Sequence, residues 1–294
     1  MVVSLRLRNA ALFAAVSLSC LCAQTALADP APGGKNAQFH KYVALGDSYA
    51  AAPGVDPVDG ASGSCSRSLR NYPSQVAEAL GLERGESFID ESCSGTSSYG
   101  ITGGESGPLG DSRAPQLDAV TPDTDLVTLT VGANNDGLAQ AVFFECNIGG
   151  GGCEQKVQAK PQLADMNDFS ARLEGSVADT LRQIHQIAPK ATVEVVGYIR
   201  VGSAWCPAWG PYNAQDAAYI DGVQGTLNNA LKKAAAQTGS KYVDAAAAAA
   251  GHGVCSDTPW VTGGGALLGS DISLHPLAEG EDGMAKAVLA SLGR

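Results

Sequence analysis

Apolar residues in this chain fall into short continuous blocks separated by longer stretches of helical spacing. Tyr42-Val43-Ala44-Leu45 is one block, closed by Gly46-Asp47-Ser48, and Ala50, Ala51, Pro53 and Gly54 end any extended run. Residues 125–131 form a second, β-branched and largely apolar, as expected of a strand covered on both faces. Residues 192–199 read as a third strand, 241–244 as a short last one, and 86–90 as a weaker candidate. Between them the helical period holds over Tyr72–Leu80, Met166–Ile187, residues 213–238 and residues 277–292. In Met166–Ile187 the apolar positions Phe169, Leu173, Val177, Leu181 and Ile184 fall on one face. Residues 50–70 and 97–112 read as glycine-rich loops and 138–160 as an excursion. The alanine run at 245–250 fits either helix or strand. Strands alternating with helices predict an α/β fold with a mostly parallel sheet and helices on both faces.

The 294 residues, 45% apolar and 17% charged, suit one domain with a substantial core. A formal charge of −11 argues against nucleic acid as a partner and against stable attachment to an anionic membrane surface. Residues 1–28 read as a secretory signal. Arg6 and Arg8 precede an apolar stretch too short to span a bilayer, and Ala26-Leu27-Ala28 gives a small-residue cleavage pattern. A disordered lead-in is expected over 29–39 and the folded domain over 40–294, outside the cytoplasm, soluble and monomeric.

Once the signal is set aside, six cysteines remain, and an even number in an exported chain reads as disulfides. Their order suggests Cys65–Cys93, Cys146–Cys153 and Cys206–Cys255. No closely spaced Cys/His set favours zinc, and neither a metal nor a cofactor is expected.

Candidate chemistry gathers where the strands end. Ser48 follows the first block, Gly95 lies in Ser92-Cys93-Ser94-Gly95 after the weaker strand, and Asn134 follows residues 125–131. His275 precedes the last helix. Parallel topology brings strand ends to one rim of the sheet. A serine there can be a nucleophile if a base reaches it and N–H donors meet the developing oxyanion. Each residue alone has a plainer role as a turn former, cap or satisfied histidine. His40, His185 and His252 fall away from any predicted site loop.

Taken in order, Gly46-Asp47-Ser48-Tyr49, Gly95, Gly132-Ala133-Asn134 and His275-Pro276 resemble the four blocks of the SGNH, or GDSL, hydrolase superfamily. The signal and the expected bridges make the chain most similar to its secreted actinobacterial lipases, esterases and phospholipases. The resemblance implies a single-domain three-layer α/β/α sandwich with a flavodoxin-like sheet. It further implies Ser48 as nucleophile, His275 as base, and an oxyanion hole of the Ser48 and Gly95 amides with the Asn134 side chain. The family usually carries an aspartate three residues before the histidine, where this chain has Ile272. Asp271, four before, is one candidate to orient the imidazole; a backbone carbonyl near Ile272, giving a Ser–His dyad, is the other and the one expected here. Asn135 stands where the family commonly has aspartate.

The expected activity is hydrolysis of carboxylic esters, with a small-molecule or lipid ester as substrate. Phospholipase A-type cleavage and polysaccharide deacetylation are alternatives within the same chemistry, and a non-catalytic surface-binding module is the competing class.

Overall fold

The computed structural model describes residue 1 and residues 39–107, 110–148, 151–264 and 272–294. The expected signal, most of the lead-in and Asp271 lie outside these residues. Phe39, assigned to the lead-in by the sequence, is buried against the core, so packing begins one residue earlier than expected.

Five strands form one parallel sheet: β1 (Tyr42–Gly46), β2 (Phe88–Asp90), β3 (Leu126–Thr130), β4 (Thr192–Val196) and β5 (Lys241–Val243). Their spatial order is 2-1-3-4-5, the flavodoxin-like arrangement. Every residue of β1 and β3 is buried, as their unbroken apolar runs require of central strands covered on both faces. The order reverses between β1 and β3, and in such sheets that point opens a crevice at the carboxyl edge.

The long helices α6 (Met166–Ile187) and α7 (Ala214–Thr238) pack along each other in one layer, joined by α3 (Ser98–Gly103) and α5 (Cys153–Gln158). The other layer holds α2 (Tyr72–Leu80), α8 (Ala245–Ala248) and α9 (Ala278–Ser291). Together they make a single-domain three-layer α/β/α sandwich. Among the described residues no helix is long and apolar enough to cross a membrane.

Local signals explain the helix ends. The Asn71 side chain accepts the amide of Ser74 before α2, and Gly81 closes that helix in the left-handed region. Asn213 and Asp216 form a reciprocal capping box at the start of α7. Asp244 caps the one-turn α8, so the alanine run opens as helix over Ala245–Ala248 and ends in a turn.

Several predicted stretches differ from the structure. Residues 97–112 contain α3 and a short antiparallel ladder of Glu105–Ser106 with Ser112–Arg113. Glycines at 100 and 103 mask this helix in the sequence, while Ser97 caps it and Ile101 is fully buried. The excursion at 138–160 is helical: α4 (Leu138–Ala141), wider π-type turns over Val142–Ile148, and α5. Strand β4 stops at Val196 because the Asn228 amide takes both the N–H and the C=O of Tyr198, at 2.7 and 2.8 Å, in place of a ladder.

The three bridges join Cys65 to Cys93, Cys146 to Cys153 and Cys206 to Cys255. A bridge closing a loop of a few tens of residues contributes about 3–4 kcal/mol through the unfolded chain, and the seven-residue Cys146–Cys153 separation contributes less.

Candidate active site

Strand β1 ends against β3 so closely that only glycine fits. Gly46 has φ +151, and a Cβ there would stand 2.4 Å from the Thr130 carbonyl oxygen. The buried Gln116 side chain takes both the amide and the carbonyl of Gly46, at 2.7 and 2.9 Å. Asp47 then caps the one-turn α1 (Ser48–Ala51), its carboxylate accepting the Tyr49 amide at 2.9 Å. Ala50 and Ala51, expected to begin a loop, complete that turn inside the core. Ser48 opens α1 with its hydroxyl facing the rim.

His275 reaches Ser48 from the segment that precedes α9, with Nε2 2.7 Å from Ser48 Oγ. Its Nδ1 lies 2.8 Å from the carbonyl oxygen of Ser273. A carbonyl only accepts, so Nδ1 carries the proton and Nε2 is left with a lone pair toward the serine hydroxyl. Burial of the ring lowers its pKa from the ordinary 6.5, while the Ser273 carbonyl opposes that shift. The ring is thereby neutral, and a base, at neutral pH.

The turn that delivers the histidine is strained. Leu274 has φ +61, a left-handed conformation costing roughly 1–2 kcal/mol for a residue with a side chain. The Thr262 hydroxyl donates to the Ile272 carbonyl at 2.5 Å and accepts the His275 amide at 3.1 Å.

Gly95 and Asn134 come to the same rim. Gly95 sits at φ +89, a turn that favours glycine, and the Cys65–Cys93 bridge braces the segment two residues before it. The amides of Ser48 and Gly95 have no protein acceptor among the described residues. Asn134 donates one side-chain N–H to the Thr96 carbonyl at 3.1 Å, which fixes the amide and leaves its second N–H available. The neighbouring Asn135 turns away. It accepts the Ser98 amide at 2.9 Å and donates to the Ser98 hydroxyl at 2.6 Å, so its amide fastens the start of α3.

Behind the serine lies a buried acid. Burial pushes the Asp47 carboxyl up to about 7, against the pull of hydrogen bonds from the Tyr198 hydroxyl and the Tyr49 amide. Tyr198 donates to Asp47 at 2.5 Å and accepts the Ala133 amide at 2.9 Å. This pair ties the turn carrying Ser48 to the turn carrying Asn134. Tyr198 has no motif that marks it; its position just beyond a strand end is its one sequence signal.

A cavity of about 680 Å³ opens beside Ser48, His275, Gly95 and Asn134. Its apolar lining includes Ile220, Val223 and Leu227 of α7 together with Leu138, Val142 and Phe143. Arg113 is the one permanently charged group lining it among the described residues, and Asp111 offsets that charge at 3.1 Å. The other histidines stand elsewhere. The His40 amide bonds Asp125, His185 meets Ser240 at 3.0 Å, and His252 stacks on Trp260 with ring centroids 4.2 Å apart.

The model of the GDSL-like Lipase/Acylhydrolase family matches residues 44–282. Lipase 2 of Streptomyces coelicolor is 33% identical over 262 residues, covering 86% of this chain and 85% of that protein. The crystal structure of phospholipase A1 from Streptomyces albidoflavus NA297 superposes with TM-score 0.69 at 31% identity, covering 86% of this chain and 99% of that one. The extracellular lipase of Streptomyces rimosus superposes with TM-score 0.70 at 29% identity, covering 85% and 98%.

Proposed function

This chain belongs to the GDSL-like lipase/acylhydrolase family and is a carboxylic ester hydrolase, and from that premise we propose that it cleaves hydrophobic acyl esters through a Ser48–His275 dyad. The observation that carries the reading is the 2.7 Å contact between Ser48 Oγ and His275 Nε2 at the edge of an apolar cavity.

The Ser48 hydroxyl attacks the ester carbonyl carbon as His275 Nε2 takes its proton. The carbonyl oxygen gains the negative charge and is met by the amides of Ser48 and Gly95 and the free N–H of Asn134. The tetrahedral species collapses by breaking the bond to the alcohol oxygen, which receives the proton from Nε2, and an acyl-Ser48 ester remains. Water then attacks that ester, giving its proton to Nε2, and the acid leaves as Ser48 regains the proton. The Ser273 carbonyl stabilises the imidazolium in both halves.

The apolar walls on α7 and at Leu138–Phe143 fit an aliphatic acyl chain better than an acetyl group on a sugar. The three disulfides and the likeness to an extracellular lipase support a place outside the cell. A panel of p-nitrophenyl esters from acetate to palmitate, with phosphatidylcholine and acetylated xylan beside it, tests the substrate class. Preference for acyl chains longer than acetyl is the expected result, with phosphatidylcholine cleavage marking a phospholipase A-type specificity. Acetylxylan as the best substrate would overturn the lipid reading.

A further inference from the structure

The residue following the nucleophile reaches across the site to the turn that holds the base. Tyr49 is buried, and its hydroxyl donates to the carbonyl of Leu274 at 2.5 Å, 225 residues away. The same hydroxyl accepts a hydrogen bond from Gln224 Nε2 at 2.9 Å. The orientation of that amide is fixed, because Gln224 Oε1 accepts the Val201 N–H at 2.8 Å and a backbone N–H can only donate. A directional chain therefore runs from Val201 through Gln224 and Tyr49 to Leu274. The Tyr49 ring also lies 5.3 Å from the His275 ring, centroid to centroid.

Leu274 is the left-handed residue between Ser273 and His275, and its φ of +61 sets where the Ser273 carbonyl points. Its amide donates to Gly263 at 3.2 Å and its carbonyl receives the Tyr49 hydroxyl, so both of its backbone polar groups are tied. Left-handed leucine does not persist without such support. Releasing the carbonyl lets the turn relax toward ordinary dihedrals and swings the Ser273 oxygen away from His275 Nδ1.

We infer that Tyr49 is a positioning residue for the base, its hydroxyl holding Leu274 in the left-handed turn that aims the Ser273 carbonyl at His275. In a site oriented by a backbone carbonyl, this side chain does the work of fixing the acceptor. The inference rests on the dyad reading above.

Tyr49→Phe keeps the ring and removes the hydroxyl. The expected result, in a folded variant, is a kcat about 10- to 100-fold lower on p-nitrophenyl butyrate with KM within two-fold. The pH profile supplies a readout that packing alone does not move: with the carbonyl displaced, the acidic limb of kcat/KM shifts to lower pH. In a His275→Ala background the same substitution should change the residual rate less than two-fold, since no imidazole remains to be oriented. Gln224→Met, which removes the donor to the hydroxyl, should move kcat in the same direction and serves if Tyr49→Phe does not fold. Wild-type kcat and an unmoved limb in folded Tyr49→Phe, or an equal loss in both backgrounds, overturn the inference. Full activity in His275→Ala alone overturns the dyad instead, so the two failures are distinguishable.

Discussion

The Nδ1 atom of His275 faces the carbonyl oxygen of Ser273, two residues earlier in the chain, at 2.8 Å. A neutral acceptor stands there and needs no side chain to supply it. On this geometry Asp271→Asn retains kcat within a few-fold, because no catalytic carboxylate is lost. In a Ser–His–Asp triad the same change favours the wrong tautomer and costs on the order of 10⁴ in kcat. Steady-state kinetics on the purified variant separates the two.

Burial lowers the His275 pKa, so its imidazole stays unprotonated below the ordinary value of 6.5, as the proposed base must. The acidic limb of kcat/KM against pH should therefore have its midpoint below 6.5. A midpoint above 7 would indicate a carboxylate partner that holds the proton on the ring.

For Asn134→Ala the expected loss is about 100- to 1,000-fold in kcat with little change in KM, the signature of one oxyanion donor. An effect confined to KM would place Asn134 in ground-state binding. Asn134 spends one N–H on Thr96, so its truncation also frees that carbonyl, and the thermal midpoint should be recorded beside the kinetics.

Stability should fall with rising pH through Glu281. This acid on α9 is fully buried; one oxygen accepts the Tyr72 amide at 2.7 Å and the other has no hydrogen-bond partner among the described residues. Burial holds its pKa well above 4.5, so the native state keeps the proton while the unfolded chain loses it above that value. The native state binds more protons there, and stability is lost as pH rises from 4.5 through the native pKa. Glu281→Gln removes this dependence. Its thermal midpoint should exceed that of the wild type by more at pH 8 than at pH 5, and a constant offset would contradict the assignment.

Much of this architecture is legible along the chain because its determinants are local. Helices α2 and α6 begin after the side-chain caps Asn71 and Asp165, and their apolar stripes keep a strict helical period. The serine, glycine, asparagine and histidine stand where strand ends and one closing loop must put them. Helix α3 is hidden because its support is tertiary, through Ile101 and Asn135, while its own sequence is rich in glycine. Tyr198 is hidden because its partner Asp47 lies 151 residues away, and the contacts that hold it at the site, from Asn228 and Ala133, are also remote in sequence. The acceptor for His275 is a backbone atom with no residue signature, and it depends on the unusual φ of Leu274.

The central claim is that Ser48 is the nucleophile, and active-site labelling tests it most directly. The protein is treated with diethyl p-nitrophenyl phosphate and the modified peptide is mapped by mass spectrometry. The account predicts one diethylphosphoryl group per chain, on Ser48, with full loss of ester hydrolysis, and a folded Ser48→Ala variant that neither takes the label nor turns over substrate. Label on a different serine, or hydrolysis at near wild-type rate by Ser48→Ala, would contradict it.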